Sequence, residues 1–391
     1  MRRIHIAAST PYDVVIDCGL LHRAGEESAG LMRPCRAVIV SEEQIFALHG
    51  AALQRSLERA GFEVFRFFHP GGEASKSLAV FGALQSFLCA HRFSRSDAVF
   101  ALGGGVTGDL AGFAAATYQR GMAFVQVPTT LLAAVDASVG GKTAVNLPEG
   151  KNQVGCFYQP RAVFCDRDTL QTLSDGAYRC GCAEVIKYGV LGDRAFFDSL
   201  AQTPIREQEE QVIARCVAMK RDLVQEDEFD TGRRRLLNVG HTVGHAVEAC
   251  SGYTVSHGDA VAIGMATVMR GAVRHGLCCK EDCARLLSVL EKYHLPTACD
   301  IPADALLEAC MADKKTAGGK LHLVVPRAIG QCTVIPMEPE ELRTWLEYYD
   351  THHTTRRPPP RLREGACLQI PCPPPADLRR FGQSSGFDSL R

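Results

Sequence analysis

The residues best suited to chemistry begin at Arg234, where the chain reads R-R-L-L-N-V-G-H-T-V-G-H-A-V-E. If this stretch is helical, at roughly 100° per residue, Asn238, His241, His245 and Glu248 fall within one arc of roughly 80°. Two histidines four residues apart on one face can chelate a metal ion. The stretch is not H-E-x-x-H, so a zinc-protease reading lacks its general base. His257 follows sixteen residues after His241, in S-H-G-D. Upstream, Glu184 sits in A-E-V-I-K-Y-G, with Lys187 one helical turn later on the same face. One carboxylate with two imidazoles is a catalytic metal set that leaves a coordination position open.

Two glycine-rich segments suggest a phosphorylated ligand. The run D-A-V-F-A-L-G-G-G-V-T-G-D, from Asp97, reads as a buried strand turning through Gly103, Gly104 and Gly105 into an Ala-rich helix. Such a turn lets backbone approach a ligand, and the new helix offers it free N–H groups. The spacing is not G-x-G-x-x-G. Gly71, Gly72, Glu73, Ala74, Ser75 and Lys76 follow another strand-like run, and an acid placed there can bind a ribose diol. The densest segment, Tyr118–Asn152, holds P-T-T (Pro128, Thr129, Thr130), then Asp136, S-V-G-G-K-T around Lys142, and finally Lys151 and Asn152. G-G-K-T is not a P-loop, because the first glycine of that motif would fall at Asp136. Polar groups this dense among glycines suit a phosphorylated or polyhydroxylated ligand.

These residues need a scaffold. Up to about residue 165, β-rich runs (37–41, 62–68, 97–102, 123–127, 162–166) alternate with helical patterns such as 42–60 and 77–91, which predicts a Rossmann-like parallel α/β sheet. From about Asp168 the pattern turns helical, at 181–191, 207–224, 234–250, 258–275, 280–293 and 303–311. A hairpin is expected at 321–325 with 331–335. The division expected is an α/β domain at 1–167, an all-α domain at 168–349, and a tail at 350–391. That tail carries seven of the 19 prolines and seven arginines, a composition expected to stay disordered.

Composition narrows the function classes. With 43 Lys plus Arg against 44 Asp plus Glu, nothing predicts a nucleic acid or an anionic membrane as partner. The N-terminus lacks the apolar core of a secretory signal, and no stretch approaches the roughly 20 apolar residues of a membrane span. The 17 cysteines are scattered with no C-x-x-C pair, which suits small buried side chains in a reducing cytoplasm.

Taken together, six ordered motifs carry a resemblance. They are G-G-G-V-T-G-D; R-G-x-x-F-x-Q-V-P-T-T-L-L-A-x-V-D-x-S-V-G-G-K-T; K-N-x-x-G-x-F; A-E-V-I-K-Y-G; N-x-G-H-T-x-G-H-A-x-E; and S-H-G-D-A-V. The chain resembles the 3-dehydroquinate synthase family from about residue 10 to about 348. The resemblance implies that Glu184, His241 and His257 hold zinc or cobalt. It places Gly71 to Lys76 (with Glu73 and Lys76 foremost), Gly105, Val106, Thr107, Gly108, Asp109, Thr129, Thr130, Lys142, Lys151, Thr169, Leu170, Gln171 and Thr172 along NAD+. It places Asp136, Lys142, Asn152, Lys187, Lys220, Arg234, Asn238, His245 and one of Lys314 and Lys315 around the substrate. It implies a homodimer in which Arg120 acts in trans.

The implied substrate is 3-deoxy-D-arabino-heptulosonate 7-phosphate, a small phosphorylated sugar acid of the shikimate pathway. Transient oxidation of a secondary alcohol acidifies the neighbouring carbon, and phosphate leaves by β-elimination. Hydride returns, and an aldol step closes the carbocycle. Lys142, Asn152, His245 and Arg120 would hold the phosphate or relay protons. Two departures stand out: Ser75 where an aromatic is common, and S-D-G-A-Y-R-C-G after Leu173. The rival readings are another sugar-phosphate cyclase, a metal-dependent polyol dehydrogenase, and a non-enzymatic metal-binding protein of the same fold.

Overall fold

The computed structural model describes residues 1–312 and 321–347. Lys314, Lys315 and the tail from 350 lie outside them. The main sheet has seven strands in the order β1-β2-β9-β6-β5-β3-β4. Their ranges are β1 Arg2–Ile6, β2 Tyr12–Asp17, β3 Arg36–Glu42, β4 Glu63–His69, β5 Ala98–Gly103, β6 Ala123–Pro128 and β9 Ala162–Asp166. Strands β2, β9, β6, β5, β3 and β4 run parallel, as the alternating pattern predicts. All six residues of β5 are buried. A parallel strand between two neighbours is covered on both faces, so its sequence is a continuous apolar run rather than an alternation. Phe100 and Leu102 pack on one side with Leu53 and Phe62, while Val99 packs on the other with Leu84 and Phe113.

The sheet has a switch point. From β3 the chain moves outward to β4, then returns to place β5 on the other side of β3. In open parallel sheets, ligands bind outside the carboxyl ends of strands at such a reversal. The Gly103–Gly105 turn stands there, at the end of β5.

Two hairpins were not expected. The antiparallel β1–β2 pair extends the sheet edge, with Arg2 opposite Ile16. The Gly/Lys/Asn-rich segment, whose polar groups suit a phosphorylated or polyhydroxylated ligand, is the hairpin β7 (Lys142–Leu147) with β8 (Gly150–Phe157). The expected late hairpin is present as β10 (Leu321–Ala328) with β11 (Gln331–Met337).

After β9 the chain is mainly helical. The Asp175–Gly192 helix starts earlier than its periodicity suggests, because Ser174 Oγ accepts the Ala177 N–H and caps it. Every residue from Gly181 to Leu191 is buried. Helices Glu209–Glu226, His241–Cys250, His257–Arg274, Lys280–Lys292 and Ala303–Ala312 follow, and Pro339–Leu346 adds a helix the sequence did not announce. Helices His241–Cys250 and His257–Arg274 approach so closely that a Cβ on Gly264 would stand 1.9 Å from the Gly240 carbonyl oxygen.

The continuous 234–250 helix is corrected. Arg233–Asn238 is a 3-10 turn, Gly240 takes a left-handed φ of 76°, and the α-helix begins at His241. Asn238 is therefore not on the helical arc of His241, His245 and Glu248. The expected 42–60 helix is also interrupted, by a π turn at Phe46–Gly50.

Candidate active site

Glu184 and Lys187 project from the part of their helix that is buried all round, so both are buried charges, 0% and 1% exposed. His241 opens its helix immediately after the Gly240 break. His257 opens the next, where Ser256 Oγ accepts the Asp259 N–H. These three helix positions converge: one ligand atom each from Glu184, His241 and His257 lies within 4.8 Å of the others. His257 Nε2 is 3.3 Å and His241 Nε2 3.6 Å from Glu184 Oε1. His241 Nδ1 lies 3.1 Å from the Val239 carbonyl, which fixes the ring and leaves Nε2 for the centre.

The His241–His245 pair is not the tightest grouping of the three imidazoles. His245 and Glu248 form a second group with His257. Glu248, which no ligand set had included, faces two ways. Its Oε2 lies 3.4 Å from His257 Nδ1, and its Oε1 accepts from Lys151 Nζ at 2.9 Å.

The donor set fits a divalent ion. Both Glu184 oxygens are buried without a well-formed hydrogen bond. Burial would push this carboxyl up, but Lys187 and then His241 outweigh it and hold it at about 2. Burial drives His241 down to about 3, so it is a neutral donor. Burial opposes a charge on His257 too, yet its contacts with Glu184 and Glu248 raise it to about 9. A cation is thus favoured at the point where a metal would release that proton.

Next to the trio, Asp136 gathers cations. Its Oδ1 is 2.6 Å from Lys220 Nζ and accepts from Tyr188 at 2.7 Å; its Oδ2 is 3.4 Å from Lys187 Nζ. Burial raises the carboxyl, but Lys187 and Lys220 overcome it and hold it well below the carboxylate range. Burial lowers Lys220 to about 8 despite Asp136.

Most residues assigned to NAD+ lie just beyond the carboxyl ends of β4, β5, β6 and β9, while Lys142 and Lys151 lie on the β7–β8 hairpin. Gly104 and Gly105 pack against Thr130 and Ala137, where added Cβ atoms would stand 3.2 and 3.3 Å from the nearest side-chain carbons. Gly104 supplies no side-chain cap to the Gly105–Thr117 helix, leaving its first N–H groups to a ligand. The Thr129 hydroxyl is buried and unpartnered among the described residues, as an absent ligand would leave it. Lys76 bonds both Asp109 and Asn152, and Asn146 links Asn152 to Glu73. Ser75, the departure from the usual aromatic, is buried and bonds the Gly71 carbonyl at 2.7 Å. The turn Arg167–Thr172 follows β9, and Thr172 Oγ1 lies 2.9 Å from His49 Nε2.

The remaining positions are more dispersed. Lys142, half exposed, pairs with Asp230, another partner the sequence did not single out. Arg234 is buried and donates to the Gly140 carbonyl at 2.8 Å and to the Glu228 carbonyl, so it braces the Gly140–Gly141 turn. Asn238 is exposed. Arg120 is also exposed, within successive left-handed residues Gln119, Arg120 and Gly121 (φ 47°, 69° and 127°). Among the described residues it makes no ion pair. The unusual segment before Glu184 reaches the His257 helix: Cys180 Sγ accepts the Gly258 N–H at 3.1 Å, and Arg179 pairs with Asp259. In the cofactor and substrate sets, five described lysines each meet a carboxylate: Lys76–Asp109, Lys142–Asp230, Lys151–Glu248, Lys187–Glu184 and Lys220–Asp136.

Known proteins resemble this chain in sequence and in fold. The sequence pattern of the 3-dehydroquinate synthase N-terminal family matches residues 66–180, and that of the 3-dehydroquinate synthase C-terminal family matches residues 181–316. A 3-dehydroquinate synthase of Enterococcus faecalis is 43% identical over 342 residues, covering 86% of this chain and 95% of that one. Among solved structures, 2-epi-5-epi-valiolone synthase from Streptomyces hygroscopicus, with NAD+ and Zn2+ bound, superposes with a TM-score of 0.81 at 28% identity, covering 89% of this chain and 99% of that one. A 2-deoxy-scyllo-inosose synthase complexed with carbaglucose-6-phosphate, NAD+ and Co2+ gives 0.79 at 26% identity, with 89% and 100% covered. The chain belongs to the 3-dehydroquinate synthase family.

Proposed function

We propose that this chain converts 3-deoxy-D-arabino-heptulosonate 7-phosphate into 3-dehydroquinate and phosphate, a carbon–oxygen lyase reaction of the shikimate pathway in which NAD+ is regenerated. The observation that carries the reading is the meeting of Glu184, His241 and His257 with the Asp136–Lys187–Lys220 cluster at one buried point. The 43% identity to a 3-dehydroquinate synthase, against 26–28% to two other cyclases, favours this substrate over theirs.

Glu184, His241 and His257 would hold Zn2+ or Co2+, and the residues beyond β4, β5, β6 and β9 would hold NAD+. When bound, these groups supply Lewis-acid polarisation of a substrate hydroxyl and a reversible hydride acceptor. In this division of labour residues 1–167 carry most of the cofactor site, 168–349 carry the metal, and both contribute to the substrate site.

The chain's own side chains do the rest. Asp136 holds Lys187 and Lys220 as a pair of cations against the substrate's oxygens. Lys142 and Asn152, on the β7–β8 hairpin, hold the phosphate, with His245 placed to move a proton to or from it. Arg234 supports the Gly140–Gly141 turn beneath Lys142, and Asn238 borders the substrate from the 3-10 turn. The chain acts as a homodimer in which Arg120 of one subunit reaches the phosphate in the other. The outward Gln119–Gly121 turn supports this, because strained backbone persists where function uses it. The enzyme works in the cytoplasm; 15 described cysteines are free thiols. The formal net charge is −1, and no helix among the described residues is long and apolar enough to cross a membrane.

The test incubates the protein with the heptulosonate phosphate, catalytic NAD+ and zinc or cobalt, following phosphate and NADH together. Phosphate release without net NADH, stopped by a chelator, is expected. Absence of phosphate release would overturn the proposal, and steady NADH formation from simple polyols would make the protein a dehydrogenase.

A further inference from the structure

Cysteines gather far from the active site, where helix His257–Arg274 turns into helix Lys280–Lys292. Cys278 Sγ and Cys279 Sγ lie within 4.8 Å of each other and of an Asp282 carboxylate oxygen. Cys278 Sγ is also 3.5 Å from the thioether sulfur of Met269. Cys283 sits one turn into the following helix, and its N–H donates to the Cys279 carbonyl. Cys332, from β11, is close enough for its thiol to feel Cys278. Three separate segments thus bring sulfur to one place.

We propose that Cys278, Cys279 and Met269 form a second metal site, selective for a soft monovalent cation of the Cu(I) class. The donor set decides the class. Asp282 is not available as a hard ligand, because Arg194 takes both its oxygens at 3.1 and 3.3 Å and the Ile329 N–H adds a bond at 2.9 Å. What remains is two thiols and a thioether, and thioether sulfur selects Cu(I) over zinc, calcium or magnesium. The spacing suits one ion: sulfurs bound about 2.3 Å from a common metal in tetrahedral geometry stand about 3.8 Å apart.

The surroundings also fit. The Cys278 thiol is half-buried, beside the fully buried Met269. Cys279 is exposed, and its thiol makes no cap bond to the helix that follows it, which gives an ion a way in. Met269 lies twelve residues along the helix from His257, roughly 18 Å at 1.5 Å per residue. The site is therefore separate from the Glu184–His241–His257 centre, and the inference does not rest on the proposed function.

The test uses the full chain loaded with zinc. Under anaerobic conditions it is titrated against Cu(I) held by a chromophoric chelator. The parent should withdraw one equivalent more than the Cys278→Ser/Cys279→Ser variant, and its thermal midpoint should rise with Cu(I) while the variant's does not. Cys89→Ser/Cys250→Ser, at exposed thiols elsewhere, should keep the equivalent. Equal uptake by parent and Cys278→Ser/Cys279→Ser overturns the site. If that variant does not fold, Met269→Leu, which conserves volume, and Cys279→Ser serve instead; unchanged uptake in both overturns the site equally.

Discussion

The ammonium of Lys187 stands 2.5 Å from Glu184 Oε2, one helical turn away, and both side chains are sealed from solvent. The same ammonium lies 3.4 Å from Asp136. One buried cation therefore serves two carboxylates, Glu184 fully buried and Asp136 partly so. Removing one partner from such a set typically costs about 3 to 5 kcal/mol, because a buried charge is left uncompensated. Lys187→Met should lose stability of that order in metal-free protein, and saturating zinc should recover part of it by neutralising Glu184. Urea unfolding with and without zinc checks both. A metal-free variant as stable as the parent would mean that Lys187 compensates neither carboxylate.

His257→Ala should abolish metal retention, since it removes one of three donors. Metal content after gel filtration, read by mass spectrometry, decides the matter. Full metal content with normal activity would sink the ligand assignment.

Arg120→Ala and Lys142→Ala should each be severely impaired as pure proteins. Mixed and reassembled, half the dimers are hybrids, and each hybrid regains one intact site if Arg120 acts across the interface, giving about a quarter of parental activity. Failure to rise above the separate variants would count against the trans role.

Lys220 sets a pH dependence. Burial lowers it from 10.5 to about 8 in the folded chain. Between these values the unfolded chain holds more protons, so this lysine makes stability rise with pH through that window. The destabilisation is fully present below pH 8 and gone above 10.5. Urea unfolding at several pH values should show the parent gaining on Lys220→Met over the window. Parallel pH profiles would remove the assignment.

Much of this site could be read before the fold was known, for reasons tied to particular residues. β5 announced itself because a doubly covered strand must be continuously apolar, and Gly103–Gly105 because a strand-to-helix turn at a ligand needs backbone without Cβ. The β1–β2 pair did not, since Arg2 and Arg3 dilute its pattern and β2 pairs with β9, some 150 residues away in sequence. The β7–β8 hairpin was hidden by Gly, Asn and Lys, residues that are poor strand formers. Periodicity carried the helix through Gly240, where the contact with Gly264 required a break. Asp230 was passed over because a lone acid has no signature, and Glu248, though on the arc of His241 and His245, showed no sign of its partners; only the fold brings Asp230 to Lys142, and Glu248 to Lys151 and His257.

The pairing of the five site lysines has a consequence for selectivity. A pocket of free ammonium groups would collect chloride, inorganic phosphate or any passing metabolite, and salt would readily displace them. Here each incoming anion must trade places with a carboxylate already seated, so a stray ion gains little by entering. On the proposed reading the substrate is the molecule that makes several such exchanges at once, at Lys142, Lys187 and Lys220 together, and so recovers what each displaced partner gives up. Discrimination thus comes from the number of simultaneous swaps, and the resting site stays electrically quiet between turnovers.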